Sequence, residues 1–159
     1  MAQRLKPWYT VVTPREDLRE GKPQDAAEFA VHLDDVRDGT APKDYQDPKQ
    51  FFEKTFLTRN MLDLASQVVK RLNGDKTETS AVFNLATQFG GGKTHTLTLL
   101  YHLCTRGPDS HNWTGVKQIL EAAGQKTISK GAAAVFVGTE FDSLSGRGDD
   151  GDGPTRKTP

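Results

Sequence analysis

The chain has 159 residues, the size of one domain, with Lys+Arg and Asp+Glu equal at 21 each and a pI of 6.9. Zero net charge removes the basic excess that nucleic acid or an anionic membrane surface would attract. A single cysteine, Cys104, excludes an intramolecular disulfide and fits a reducing cytoplasm, while the first twenty residues hold charges and no apolar export signal.

In chain order, residues 8–12 (W-Y-T-V-V) are aromatic and β-branched and predict a short strand ended by Thr13-Pro14. A helix is expected over 25–38: Asp25 and Glu28 make a capping box, Phe29, Leu33 and Val36 share a face, and Gly39 stops it. Asp47-Pro48 supplies an N-cap and an N1 proline for a short helix carrying Phe51 and Phe52. Thr58 caps a longer one, with Met61, Leu62, Ala65, Val68, Val69 and Leu72 at helical spacing and Gly74 beyond its end.

An apolar run over 81–86 then reads as a buried strand. It enters a glycine-rich turn, Gly90, Gly91 and Gly92, after which Lys93-Thr94 opens a strongly apolar helical pattern. This order of residue types suits a phosphate-binding loop, because a polyphosphate must be wrapped at close range by backbone N–H groups and glycine lets the backbone come near. Lys93 is placed to reach the β and γ phosphates, the Thr94 hydroxyl to ligate an accompanying Mg²⁺, and His95, directly after them, is a further candidate for a phosphate contact, although a first-turn histidine is more often simply exposed. The full Walker A pattern wants its first glycine where Thr87 stands, and that glycine is absent. A mere connector accounts poorly for three glycines, which cost chain entropy, and for a first-turn lysine, which opposes the helix dipole.

The helix opened by Lys93 is apolar over most of its circumference, as expected for one buried beneath a sheet, and Arg106-Gly107-Pro108 ends it. Another amphipathic helix spans 116–123, closed by Gly124, before a second apolar strand at 132–137. Strand, two helices and strand make a βα(α)β unit with parallel strands. Glu140 and Asp142 emerge just past the second strand, where an acid can orient metal or water, but Gly138-Thr139 intervene and favour a solvated loop start.

Hydrophobic content of 35% and a mean hydropathy of −0.63 are polar for a domain that covers both faces of a parallel sheet. With the Gly/Asp-rich stretch at 146–154 and no closing element after it, the chain reads as the N-terminal piece of a longer protein. Asn112-Trp113-Thr114, Arg147-Gly148-Asp149 and the Asp149, Asp150, Asp152 cluster match glycosylation, adhesion and calcium patterns only superficially, and His32, His102 and His111 lack ligand neighbours.

The segments Q-F-G-G-G-K-T-H, V-V-T-P-R-E-D-L-R-E-G, F-F-E-K-T-F-L-T and V-F-V-G-T-E-F-D together resemble the N-terminal part of a long-uncharacterised family of large bacterial AAA-like P-loop ATP-binding proteins. Members are often encoded beside DNA methyltransferases in restriction or phage-defence clusters. The resemblance implies an ATP and Mg²⁺ site at Gly90, Gly91, Gly92, Lys93 and Thr94, and a Thr58 helix similar to the segment that flanks the adenine in AAA-type proteins. It also implies that the Walker B acid, sensor and arginine finger lie beyond this chain, and that a DNA methyltransferase or other defence proteins are partners of the full-length protein.

The expected architecture is therefore α/β: an incomplete P-loop NTPase-type parallel sheet over 58–159, preceded by a mainly helical region over 1–57. The expected function is ATP binding within a larger ATPase that is cytoplasmic and able to form oligomers. The alternative is a nucleotide-sensing or scaffolding module that binds ATP without cleaving it.

Overall fold

The computed structural model describes residues 5–14, 16–21, 31–77, 79–86 and 92–138. The chain divides into two units, Met1–Ala30 and Val31–Pro159. In the first, Trp8–Thr10 forms a 3-10 turn, closed by the Thr10 and Val11 amides on the Pro7 and Trp8 carbonyls, and Glu16–Arg19 forms a single turn of helix, α1. The strand expected over 8–12 is thus replaced by a turn. Trp8, Tyr9, Val11 and Val12 are all exposed, so their β-forming side chains have no sheet face to pack on.

The second unit is helical. Its elements are α2 (Leu33–Asp38), α3 (Lys43–Gln46), α4 (Pro48–Glu53), α5 (Arg59–Leu72), α6 (Lys93–Arg106), a 3-10 segment at Gly107–Asn112, and α7 (Val116–Ala123). Local chemistry explains their ends. Asp47 accepts from the Lys49 and Gln50 amides ahead of Pro48, and Thr58 accepts from the Met61 amide at 3.3 Å. Gly39 and Gly124 close α2 and α7 in the left-handed conformation that glycine tolerates best. The helix expected over 25–38 starts, in its described part, only at Leu33. His32 is extended there as the N-cap, and Asp35 reaches back to its amide in a capping box, so the chain is not helical through 31–32. Asp25 and Glu28 lie outside the described residues.

The core gathers Phe51 and Phe52 of α4, Ala65 and Val69 of α5, Leu99 and Leu103 of α6, Val116, Ile119 and Ala123 of α7, and Ile128 after it. Helix α5 packs on α6 and α7, and α6 also meets α2, α4 and the 3-10 segment. Eight of these ten side chains are Phe, Leu, Ile or Val at nearly zero exposure, each worth about 1.5–3 kcal/mol on burial, and they make this the stabilising centre of the unit. Leu97 of α6 stays 41% exposed, so this helix is covered on one side and not all round.

The parallel sheet is overturned. Among the described residues there is no β-strand: 82–86 and 132–137 run without ladder partners. Val82 is 80% exposed and Phe136 56%. An apolar, β-branched run encodes a preference for extended backbone, but a strand exists only where neighbouring backbone accepts and donates its hydrogen bonds. Here other groups take that role. The Gly131 amide donates to the Cys104 carbonyl at 2.8 Å, and Arg37 donates to the Val135 carbonyl at 3.4 Å. Arg37 is also paired with Asp34 at 2.9 Å and forks onto Asp38 at 2.6 Å. Its guanidinium is held above its usual pKa, chiefly by the hydrogen bond to Asp38 and against the opposing effect of burial. Arg37 thereby ties the 132–137 segment to α2.

Candidate functional site

Helix α6 begins without a side-chain cap. Its N-cap is Gly92, at φ +71° and ψ 20°, a left-handed conformation that carries a penalty for any residue with a Cβ. Among the described residues no neighbouring atom lies within 4 Å of where that Cβ would stand, and the positive φ itself explains the glycine. The first intrahelical bond runs from the Thr96 amide to the Gly92 carbonyl, 2.9 Å long, and the Thr96 hydroxyl reinforces it at the same distance. The amides of Lys93, Thr94 and His95 precede it and have no acceptor within the helix. They carry the positive end of a fourteen-residue helix.

Around this opening Lys93 is half-buried and Thr94 exposed. The Thr94 hydroxyl, on the outer side of the first turn, is available as a hard oxygen ligand. Gly90, Gly91 and Thr87 lie outside the described residues, as do Glu140 and Asp142. Among the described residues no group of three His, Cys, Asp or Glu side chains gathers to hold a metal ion. Magnesium does not require such a cage, because it keeps several waters and is commonly held by one or two protein oxygens plus substrate phosphates. A lone exposed hydroxyl such as that of Thr94 is compatible with that requirement.

His95 is placed differently from its two neighbours. Its Nε2 lies 2.9 Å from the Thr55 hydroxyl, and its ring stacks at a tilt on Phe51 with centroids 4.6 Å apart, with Tyr45 edge-on at 6.0 Å. The Thr55 hydroxyl gives its only hydrogen to the Phe51 carbonyl at 2.6 Å. It must therefore accept from His95, which fixes the imidazole with its proton on Nε2. Burial lowers the His95 pKa.

Two turns further along α6, His102 also meets Phe51, with centroids 5.4 Å apart. It is 3% exposed, and its Nε2 donates to the Tyr45 carbonyl at 2.8 Å. Burial lowers its pKa and the Tyr45 carbonyl works against that shift, with lesser effects from Arg106 downward and Asp47 upward. Thr55 and His102 did not stand out in the sequence. The usable signal was the seven-residue spacing of His95 and His102, which puts two imidazoles on one face of a helix.

The DUF499 N-terminal domain matches residues 11–137. The chain belongs to that family. The DUF499 match takes in α1 to α7, the start of α6 included, and stops at Val137, the last residue of the second extended run. Searches of curated proteins and of solved structures each return no match. Among the described residues no helix is long and apolar enough to cross a membrane.

Proposed function

We propose that the turn from Gly90 to Thr94 binds a nucleoside triphosphate, ATP with Mg²⁺, and that the chain is the ATP-binding part of a larger AAA-like ATPase. The observation that carries this reading is the glycine-led, uncapped start of α6 with Lys93 and Thr94 in its first turn. Anion capture at such a helix start depends on backbone N–H groups and the helix dipole, so it needs no sheet behind it. In this reading the amides of Gly90, Gly91 and Gly92 wrap the phosphates, Lys93 neutralises their charge, and Thr94 holds the metal. His95 sits at the rim of the same turn, its ring turned onto Phe51 and Thr55. The placement beside a DNA methyltransferase in a bacterial restriction or phage-defence system rests on the family resemblance alone.

The test is a titration of the chain with Mg²⁺·ATP. Lys93→Ala is expected to weaken binding by about a hundredfold or more, since a lysine on the β and γ phosphates contributes on the order of a few kcal/mol. The circular dichroism spectrum should be unchanged. Equal affinities for the two proteins would end the phosphate-loop assignment.

A further inference from the structure

In the α6 first turn the His95 ring stacks on the buried ring of Phe51. The buried residues of this helix begin at Thr98 and Leu99 and continue to His102 and Leu103, leaving Lys93, Thr94, Thr96 and Leu97 half-buried or exposed. The first turn of a helix is held by few intrahelical hydrogen bonds and frays unless other contacts secure it. Here His95 takes up the slack. It reaches from the third helical position to Thr55, which is itself bonded to the last full turn of α4 through the Phe51 carbonyl.

We infer that Thr55 is a positioning residue for the phosphate-binding turn. Its hydroxyl, handed on from Phe51, locks His95 and with it the amides of Lys93, Thr94 and His95 in the helical arrangement an anion needs. This inference rests on the triphosphate reading of the same turn. Thr55 does not touch the ligand; it raises the fraction of molecules whose first turn is already formed. Apparent affinity scales with that fraction, so a hydrogen bond of ordinary net strength is worth roughly a three- to tenfold change in Kd.

The residue suits the task. A serine or threonine hydroxyl can donate to a carbonyl and accept from an imidazole at once, and no carboxylate or amide of similar size does both with one atom. Valine has the same shape and removes only the relay. Thr55→Val should therefore keep the fold, and Thr55→Ser should keep the relay.

The experiment has two arms on the 159-residue chain. In the ligand-free arm, hydrogen exchange is measured by NMR at the first hydrogen-bonded amides of α6, that of Thr96, which bonds to the Gly92 carbonyl, and that of Leu97. Thr55→Val should speed it several-fold, Thr55→Ser should restore it, and the amides of Leu99 and Leu103 should not change. In the second arm, Mg²⁺·ATP titrations should show Thr55→Val roughly fivefold weaker and Thr55→Ser near wild type. Unchanged exchange in Thr55→Val overturns the inference whatever the nucleotide does. Faster exchange with unchanged affinity, in a background where Lys93→Ala abolishes binding, also overturns it while leaving the triphosphate reading intact. If neither Lys93→Ala nor Thr55→Val alters ATP binding, both fall together. Should Thr55→Val not fold, His95→Phe takes its place, since it keeps a ring on Phe51 and removes the bond.

Discussion

His102 gives its Nε2 hydrogen to the carbonyl oxygen of Tyr45 across 2.8 Å, joining the middle of α6 to the end of α3. The ring is 3% exposed, so this bond holds a neutral imidazole in a place where a charged one is costly. With His95 also against Phe51, two neutral histidines meet one aromatic ring.

Stability should consequently depend on pH in one direction. Both histidines have a lowered pKa in the folded chain, through burial, so near pH 6.5 the unfolded chain binds protons more readily than the folded one. Proton uptake by the unfolded state favours unfolding. Stability is then full above about pH 7 and declines as pH falls below about 6.5. Thermal midpoints measured between pH 7.5 and 5.5 should decrease steadily. His102→Gln keeps a donor for the Tyr45 carbonyl and does not titrate, so its profile should be flatter. A wild-type midpoint that stays level over this range would contradict neutral burial of the two rings.

Thr94 and Lys93 should separate in their metal dependence. Lys93→Ala removes charge from the phosphates and should weaken ATP binding with or without Mg²⁺. Thr94→Ala removes a hydroxyl ligand, so it should weaken binding in Mg²⁺ by about tenfold and leave the weaker metal-free binding nearly unchanged. Isothermal titration at matched ionic strength distinguishes the two. A Thr94→Ala protein that binds Mg²⁺·ATP like wild type would remove Thr94 from the metal site.

Gly107 is a position where space is short. A Cβ there would stand 2.6 Å from Ile128 Cγ2 and 3.0 Å from its Cβ and carbonyl oxygen. The carbonyl oxygen is backbone and cannot swing aside. Gly107→Ala should destabilise by about 1–3 kcal/mol in urea unfolding, with the m-value unchanged. Ile128→Ala alone should also destabilise, by emptying a core position. In the double variant the two losses should fall short of additive, because the truncated side chain makes room for the new methyl group. Strict additivity would show that Ile128 does not press on residue 107.

Asn73 should show how one side chain holds a loop. As the C-cap of α5, its Nδ2 donates to the Thr127 carbonyl at 2.7 Å and to Gln125 Oε1 at 3.0 Å, while its Oδ1 accepts from the Ser129 amide at 2.8 Å. Asn73→Ala should cost about 1–3 kcal/mol and leave the Ser129 amide exchanging quickly. Asn73→Asp is similar in shape and retains the acceptor but not the donor. It should protect the Ser129 amide better than alanine does while recovering little of the stability. Equal Ser129 exchange in the two variants would mean that the bond seen at Oδ1 contributes nothing.

Much of the helical framework was legible in the sequence because its signals are local. Asp47-Pro48, Thr58, Gly39 and Gly124 each act on backbone within a turn of themselves, and the helices they bound lie where those residues predict. The sheet was not legible. Val82 and Phe136 belong to runs with every local mark of a strand, yet pairing is a relation between distant segments, and in its place the Val135 carbonyl is met by a guanidinium. For the candidate site, the glycine turn and Lys93-Thr94 could be read directly as a pattern. The bond from His95 to Thr55 could not, since it joins residues forty positions apart and depends on how α4 and α6 pack. The helix expected over 25–38 was overread at residues 31–32 for a related reason: the face of Phe29, Leu33 and Val36 runs past them, but His32 is extended as the N-cap and gives its amide hydrogen to the Asp35 carboxylate, so α2 starts at Leu33.

The grip of Arg37 on the Val135 carbonyl spans 98 positions of the chain. Helices α5, α6 and α7 are near neighbours in sequence, and α5 reaches its partners after modest loop closures. Residues 132–137 must instead find α2 across nearly the whole unit, and the entropy lost in closing so long a loop is regained only once α2 and α6 are already in place. That ordering makes the Arg37 contact a late event in folding. Weakening it should speed unfolding while leaving the refolding rate almost untouched.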